Sequence, residues 1–212
     1  MNKKRLHFFI CLFFLLSSSV VFAYEGVESQ GPYVGINLGA SFLNDATLTE
    51  KGFPITAEVE SETGLLIEGS VGYDFGPGRA EVEIGYRKND IDNFSGVGIS
   101  VTGTGDTSAL SFMFNGFFDI ENQSIFTPFL LAGIGFAKVS ADDVAIAGTV
   151  LGSEDDTVFA YQFGLGVGMA ATDKVHIELE YKYFATSDPD FGLFESEYSS
   201  HNILLGLRFV FN

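Results

Sequence analysis

The sequence predicts an all-β fold, an eight-stranded antiparallel up-and-down β-barrel that crosses a membrane. Three observations point to it. Eight segments between residues 31 and 211 place apolar side chains at every second position, the period of a strand with one apolar face. The connections between them alternate short and long, as a closing meander requires. Past the N-terminal leader no stretch approaches the roughly 20 apolar residues of a spanning helix, so a membrane-embedded chain crosses with strands.

The leader comes first. Residues 2–5 read Asn-Lys-Lys-Arg, an apolar run follows from Leu6 to about Leu16, and Val21-Phe22-Ala23 ends it. That layout predicts a secretory signal peptide over residues 1–23, cut after Ala23, with one barrel domain over 24–212. The leader carries three of the eleven basic residues and no acid, so residues 24–212 hold eight basic against 28 acidic side chains, a net charge of −20. Cys11, the single cysteine, falls in the leader, which excludes a disulfide scaffold and paired-thiolate zinc sites. So acidic a chain has nothing to replace the counterions of a nucleic acid.

In the first segment Val34, Ile36, Leu38, Ala40 and Phe42 alternate with Tyr33, Gly35, Asn37, Gly39 and Ser41. The second sets Leu65, Ile67, Val71, Tyr73 and Phe75 against Glu68, Ser70, Gly72 and Asp74. Gly76-Pro77-Gly78 turns into the third, where Ala80, Val82, Ile84 and Tyr86 face away from Glu81, Glu83, Gly85 and Arg87. The fourth sets Leu110, Phe112, Phe114 and Phe118 against Ser111, Asn115 and Asp119, with Met113 and Phe117 blurring the pattern. A short stretch at Glu121-Asn122-Gln123 leads to the fifth, Leu130, Ala132, Ile134 and Phe136 against Leu131, Gly133, Gly135 and Ala137. The sixth runs from Phe159 to Met169 against Ala160, Gln162, Gly164, Gly166 and Gly168. Ala171 to Lys174 turns into the seventh, Val175, Ile177, Leu179, Tyr181 and Tyr183 against His176, Glu178, Glu180 and Lys182. The last sets Ile203, Leu205, Leu207, Phe209 and Phe211 against Asn202, Gly206 and Arg208. Segments of about 9–12 residues suit tilted transmembrane strands better than the usual soluble strand. The long connections, roughly 43–63, 89–106, 139–156 and 185–199, read as four loops at the end opposite both termini; alternation at 55–59 and 144–151 extends strands past the membrane in the first and third.

Alternation does not choose which face points in. A secreted soluble ligand-binding barrel puts the apolar face inside and is the alternative. The polar face here is crowded with glycine, which a narrow eight-stranded interior needs and a solvated surface does not. Tyr and Phe gather towards strand ends, as in the aromatic girdles of membrane barrels. Only Lys88 and Lys138 put charge on the apolar face, both next to loops.

The chain resembles the small outer-membrane β-barrels that include the OmpA transmembrane domain and the opacity-protein-like surface antigens of Gram-negative bacteria. The resemblance rests on the leader, on Gly31-Pro32-Tyr33-Val34-Gly35, on Arg79 to Arg87, on Thr127-Pro128-Phe129 leading to Gly133-Ile134-Gly135, and on His201 to Asn212. It covers the whole mature chain. It implies an outer-membrane location with periplasmic termini, contact with outer-membrane lipid, and insertion by the barrel-assembly machinery. In that family the last strand ends in Phe and acts as the assembly signal; here Phe209 and Phe211 keep the alternation and Asn212 extends it by one residue.

With this face inward, Glu68, Asp74, Glu81, Glu83, Arg87, Glu178, Glu180, Lys182 and Arg208 line the lumen, with His176 near the turn end. Buried charges must pair, so these residues are expected to form a lumen charge network, with Arg87 and Arg208 gripping carboxylates by both arms. The four long connections carry seventeen acids against one base, Lys51. Asp142 and Asp143, and Glu154, Asp155 and Asp156, form their densest clusters. Clustered oxygens suit Ca²⁺, although no EF-hand spacing is present; solvated loops are the plainer reading, and the sequence calls for no cofactor. Ser200 and His201 are neighbours on a strand, so they diverge, and no catalytic residues are assigned. The expected role is structural or surface interaction, adhesin-like or surface-antigen-like, through four acidic extracellular loops and a possible extracellular protein partner. A narrow cation-preferring pore is the runner-up.

Overall fold

The computed structural model describes residues 30–44, 46–50, 56–96, 99–120, 122–146, 149–191, 194–196 and 198–211. The expected signal peptide over residues 1–23 and its expected cut after Ala23 lie outside the described residues. Twelve strands are present among the described residues: β1 (Gly31–Leu43), β2 (Ala46–Glu50), β3 (Thr56–Ser61), β4 (Gly64–Asp74), β5 (Gly78–Gly96), β6 (Ile99–Asp119), β7 (Phe126–Ile146), β8 (Thr149–Ala170), β9 (Val175–Thr186), β10 (Asp190–Phe191), β11 (Phe194–Ser196) and β12 (Ser199–Val210). No helix occurs among the described residues.

Eight strands make the wall, each pairing antiparallel with the next, in the order β1-β4-β5-β6-β7-β8-β9-β12. β12 pairs back on β1 from Tyr33↔Val210 to Leu43↔Ser200, so the sheet closes. Closure leaves the wall no open edge, the condition for β-structure in lipid.

Three tight turns join the strands at the end where β1 begins and β12 finishes. At the first, Gly76 adopts φ +99°, a conformation glycine reaches without strain, and the Asp74 carboxylate accepts its N–H at 2.9 Å. At the second, the Asn122 carbonyl accepts from Ser124 N–H at 2.7 Å while its amide donates to the Ile120 and Phe126 carbonyls. At the third, Thr172 Oγ1 accepts from Val175 N–H at 3.1 Å. Each side chain stands in for a missing ladder partner.

The other end departs from the sequence reading. β6 and β7 have 21 residues each and β8 has 22. The connections read as loops at 89–106 and 139–156 are therefore two hairpins that continue the wall, as the alternation at 144–151 predicted for part of the second. The register shifts between Asp90 and Asn93, between Thr104 and Asp106, and between Ala141 and Val144. Such bulges bend strands at a barrel rim, and they mask the period-two signal there. The first and fourth connections supply β2, β3, β10 and β11, which pair in the order β10-β11-β2-β3 onto the projecting part of β5.

The apolar side chains face out. Leu65, Ile84, Phe114, Ile134, Phe136 and Leu205 are all more than half exposed. A belt this size is incompatible with water and excludes the soluble barrel. Lys88 and Lys138 sit at the rim of this face and pair with Asp106 and Asp155.

The lumen is a packed core rather than a polar channel. Ala109, Met113, Ala137, Val139, Val158, Ala160, Phe184 and Tyr198 form an apolar cluster in its hairpin-end half. Phe117, Phe129 and Leu131 form another towards the turns. Met113 and Phe117, which blurred the alternation, are inward residues of a strand that is apolar on both faces.

Candidate functional site: lumen network and projecting hairpins

Alternation sends odd-numbered residues of β5 and even-numbered residues of β4, β9 and β12 inward, so charges from non-adjacent strands converge. Glu68, Glu81, Glu83, Arg87, Glu178, Glu180, Lys182 and Arg208 are all buried. The network has two tiers and one outlying arginine.

The middle tier centres on Lys182. Its Nζ lies 2.7 Å from Glu68 Oε2, 2.7 Å from Glu83 Oε2 and 3.2 Å from Glu180 Oε2. Asn115 donates to Glu81 and Glu83 at 3.1 and 3.0 Å. Gln162 donates to Glu83 at 3.2 Å and to Asn115 at 2.8 Å, and Tyr33 donates to Glu81 at 3.0 Å. Asn115 and Gln162 belong to the polar face in the sequence, but their place in the network follows only from β6 pairing with β5 and β8 reaching it across the lumen.

The turn-end tier centres on Glu178, whose Oε1 accepts from Arg79 at 3.0 Å and Arg208 at 2.9 Å. Arg208 also reaches Asp74 at 2.7 Å. Arg79 holds Asp119 by both arms, Nε and Nη2 each at 2.9 Å. His176 stands in register with Arg208 on this level.

Two expectations need correction. Arg208 spans two carboxylates instead of forking onto one. Arg87 holds none: its guanidinium lies over the Phe184 ring at 3.6 Å, touches Ser111 Oγ at 3.4 Å, and leaves Nε and Nη1 without hydrogen bonds. The two-armed arginine is Arg79, which the sequence reading left out. Its odd number, shared with Glu81 and Glu83, was the available signal; its place beside the turn hid it.

At the projecting end, strand geometry divides the acids. Glu154, Asp155 and Asp156 lie on β8 opposite Ala141, Ser140 and Val139, so Asp155 points away from its two neighbours. Asp155 pairs with Lys138 at 3.1 Å. Asp142 stands in register with Asp106, and the Asp143 side chain lies outside the described residues. Among the described residues no three His, Cys, Asp or Glu are arranged to hold a metal ion. Ser200 is buried in the lumen, while His201 faces out, its Nδ1 2.6 Å from the Tyr181 hydroxyl. Phe209 and Phe211 face out at the end of β12, edge to face with ring centres 5.0 Å apart; Asn212 lies outside the described residues.

The family model of the outer membrane protein beta-barrel domain matches residues 9–211. The chain belongs to that family. It is 27% identical to a candidate adhesin of Rickettsia massiliae over 92% of this chain and 93% of that protein. It is 30% identical to the outer membrane protein PagN of Salmonella typhimurium over 54% of each chain. Among solved structures, Neisserial surface protein A is similar with a TM-score of 0.56 at 19% identity, covering 85% of this chain and 97% of that one; at that identity the likeness speaks to fold. This family member is an outer-membrane protein of a Gram-negative bacterium.

Proposed function

We propose that this barrel is a surface-interaction protein, adhesin-like in role, that presents its projecting strands to an extracellular protein partner. The observation that carries the reading is the extension of the wall past the apolar belt. β5 to β8 run 19 to 22 residues, where roughly 9–11 suffice to cross a bilayer. Strand that is not needed for spanning is available for display. The candidate adhesin of Rickettsia massiliae, related along nearly its whole length, supports the same role. The acids of the projecting segments favour a cationic partner surface and disfavour nucleic acid.

In this reading residues 1–23 are the removed signal peptide, both termini are periplasmic, Phe209 and Phe211 present the signal to the barrel-assembly machinery, and the belt contacts outer-membrane lipid. This reading assigns no catalysis: Ser200 and His201 sit on opposite faces, and Glu68, Glu83 and Glu178 are held by lysine or arginine. The packed lumen argues against the pore. Phe184, Met113 and Leu66 are buried side chains occupying the space ions would use.

The test is whole-cell binding by a variant in which the β5–β6 and β7–β8 hairpins end at the belt, with 43–63 and 185–199 shortened. It is expected to keep the heat-dependent gel shift of a folded barrel and to lose binding. Undiminished binding would overturn the proposal. Planar-bilayer recordings are expected to show no steady conductance.

A further inference from the structure

Four carboxylates and one ammonium share the middle of the lumen, and they are unequally served. Glu83 accepts from Lys182, Asn115 and Gln162, and Glu81 accepts from Asn115 and Tyr33. Glu68 accepts from Lys182 and Asn37 on Oε2, while its buried Oε1 accepts nothing. Glu180 Oε2 is 3.2 Å from Lys182 Nζ in a geometry that makes no hydrogen bond. Gln162 Oε1 is a third buried oxygen without a donor. If all four carboxylates were ionised, they would outnumber Lys182 by three charges, and Lys182 and Arg87 together by two. Arg87 donates a hydrogen bond to none of them: its guanidinium lies over Phe184 and touches Ser111.

The tier thus lacks donors and carries too much negative charge, and one particle meets both needs. Burying an unpaired carboxylate is costly, whereas a carboxylic acid brings its own O–H donor. We propose that the middle tier is a proton-binding site that retains at least one proton at neutral pH, seated on Glu180 and within the Glu68–Glu180 part of the cluster. Glu180 is the seat because its contact with the ammonium is the longest and the least well aligned. The groups around it are Lys182 and Glu178 on β9, Glu68 on β4, Glu81, Glu83 and Arg87 on β5, and Tyr33 on β1. β6 and β8 present neutral Asn115 and Gln162, and β12 places Leu204 in register with Glu180. The site is independent of the surface-interaction reading.

A folded state that holds a proton the unfolded chain has released loses stability as pH rises above the ordinary carboxylate range. The unfolding equilibrium shifts by about tenfold per pH unit for each such proton. Acidic hairpins also gain from acidification, so the difference between variants carries the test, not the wild-type trend.

The experiment is infrared spectroscopy of the barrel folded in lipid vesicles at neutral pH, reading the carbonyl stretch of a protonated carboxyl and its shift in heavy water. The band is expected in the wild type and absent in Glu180→Gln. Urea unfolding of the same samples should give Glu180→Gln a higher midpoint than wild type at about pH 8 and a similar one at about pH 5. Loss of the band in Glu68→Gln instead supports the same site with the proton on the neighbouring carboxyl. Glu68→Gln also serves if Glu180→Gln does not fold. No protonated-carboxyl band in the wild type, or a band unchanged in both variants, overturns the proposal.

Discussion

Lys182 and Glu83 meet at 2.7 Å in the middle of the lumen, from strands that lie opposite each other around the barrel. Four steps of the ladder separate β9 from β5 in either direction, so this ion pair crosses the full diameter. Arg79 and Glu178 cross the same two strands one tier down, at 3.0 Å. The pair pins opposite walls together and sets the lumen width to two side chains.

Removing one partner leaves the other charge buried and unpaired. Lys182→Met is therefore expected to cost about 3–5 kcal/mol, more than an exposed ion pair could. Urea unfolding in lipid vesicles measures it. A loss below about 1 kcal/mol, typical of a surface pair, would show that the pair is not buried.

The two buried arginines of β5 should behave differently. Arg79→Lys breaks the two-armed hold on Asp119 and leaves buried acceptors short of donors, costing about 1–3 kcal/mol. Arg87→Met removes a buried charge that holds no carboxylate, and is expected to be neutral or stabilising. Equal losses for the two would contradict the network as drawn.

Inward and outward glycines are also separable. A Cβ at Gly135 would meet the Phe112 carbonyl and the Met113 backbone, whereas one at Gly69 meets nothing within 4 Å. Gly135→Val should abolish the heat-dependent gel shift or sharply lower folding yield, while Gly69→Ala folds like the wild type. Equal yields would mean that the two glycines do not differ in this way.

Leu205, 60% exposed near the middle of β12, faces the hydrocarbon. Leu205→Arg is expected to cost about 2–4 kcal/mol in lipid vesicles. The same change at Ser199, near the hairpin end, should cost little, and equal costs would misplace the belt.

The wall was legible in the sequence because each strand has one face in lipid and one in the lumen. Val34 to Phe42 on β1 and Val175 to Tyr183 on β9 show that division without interruption. It was less legible where a strand is apolar on both faces, as at Met113 and Phe117 of β6. It failed at 89–106, where the register shifts between Asp90 and Asn93 and between Thr104 and Asp106, and it caught only the 144–151 part of 139–156, where the register shifts between Ala141 and Val144. The lumen charges could be assigned by parity, except for Arg79 beside its turn. Their partners could not be read.

Period-two patterning and the alternating connection lengths set the fold class, while the glycines, the aromatic strand ends and the scarcity of charge on one face chose the inward side and with it most lumen residues, since one-face burial is a property each strand carries locally. Pairing was decided only when the sheet closed. Closure put β5 opposite β9, gave Lys182 three carboxylates, gave Glu178 two arginines and left Arg87 against a ring. A strand records which way its side chains point. It does not record which strand stands across the lumen, because that depends on strand number and register around the whole barrel.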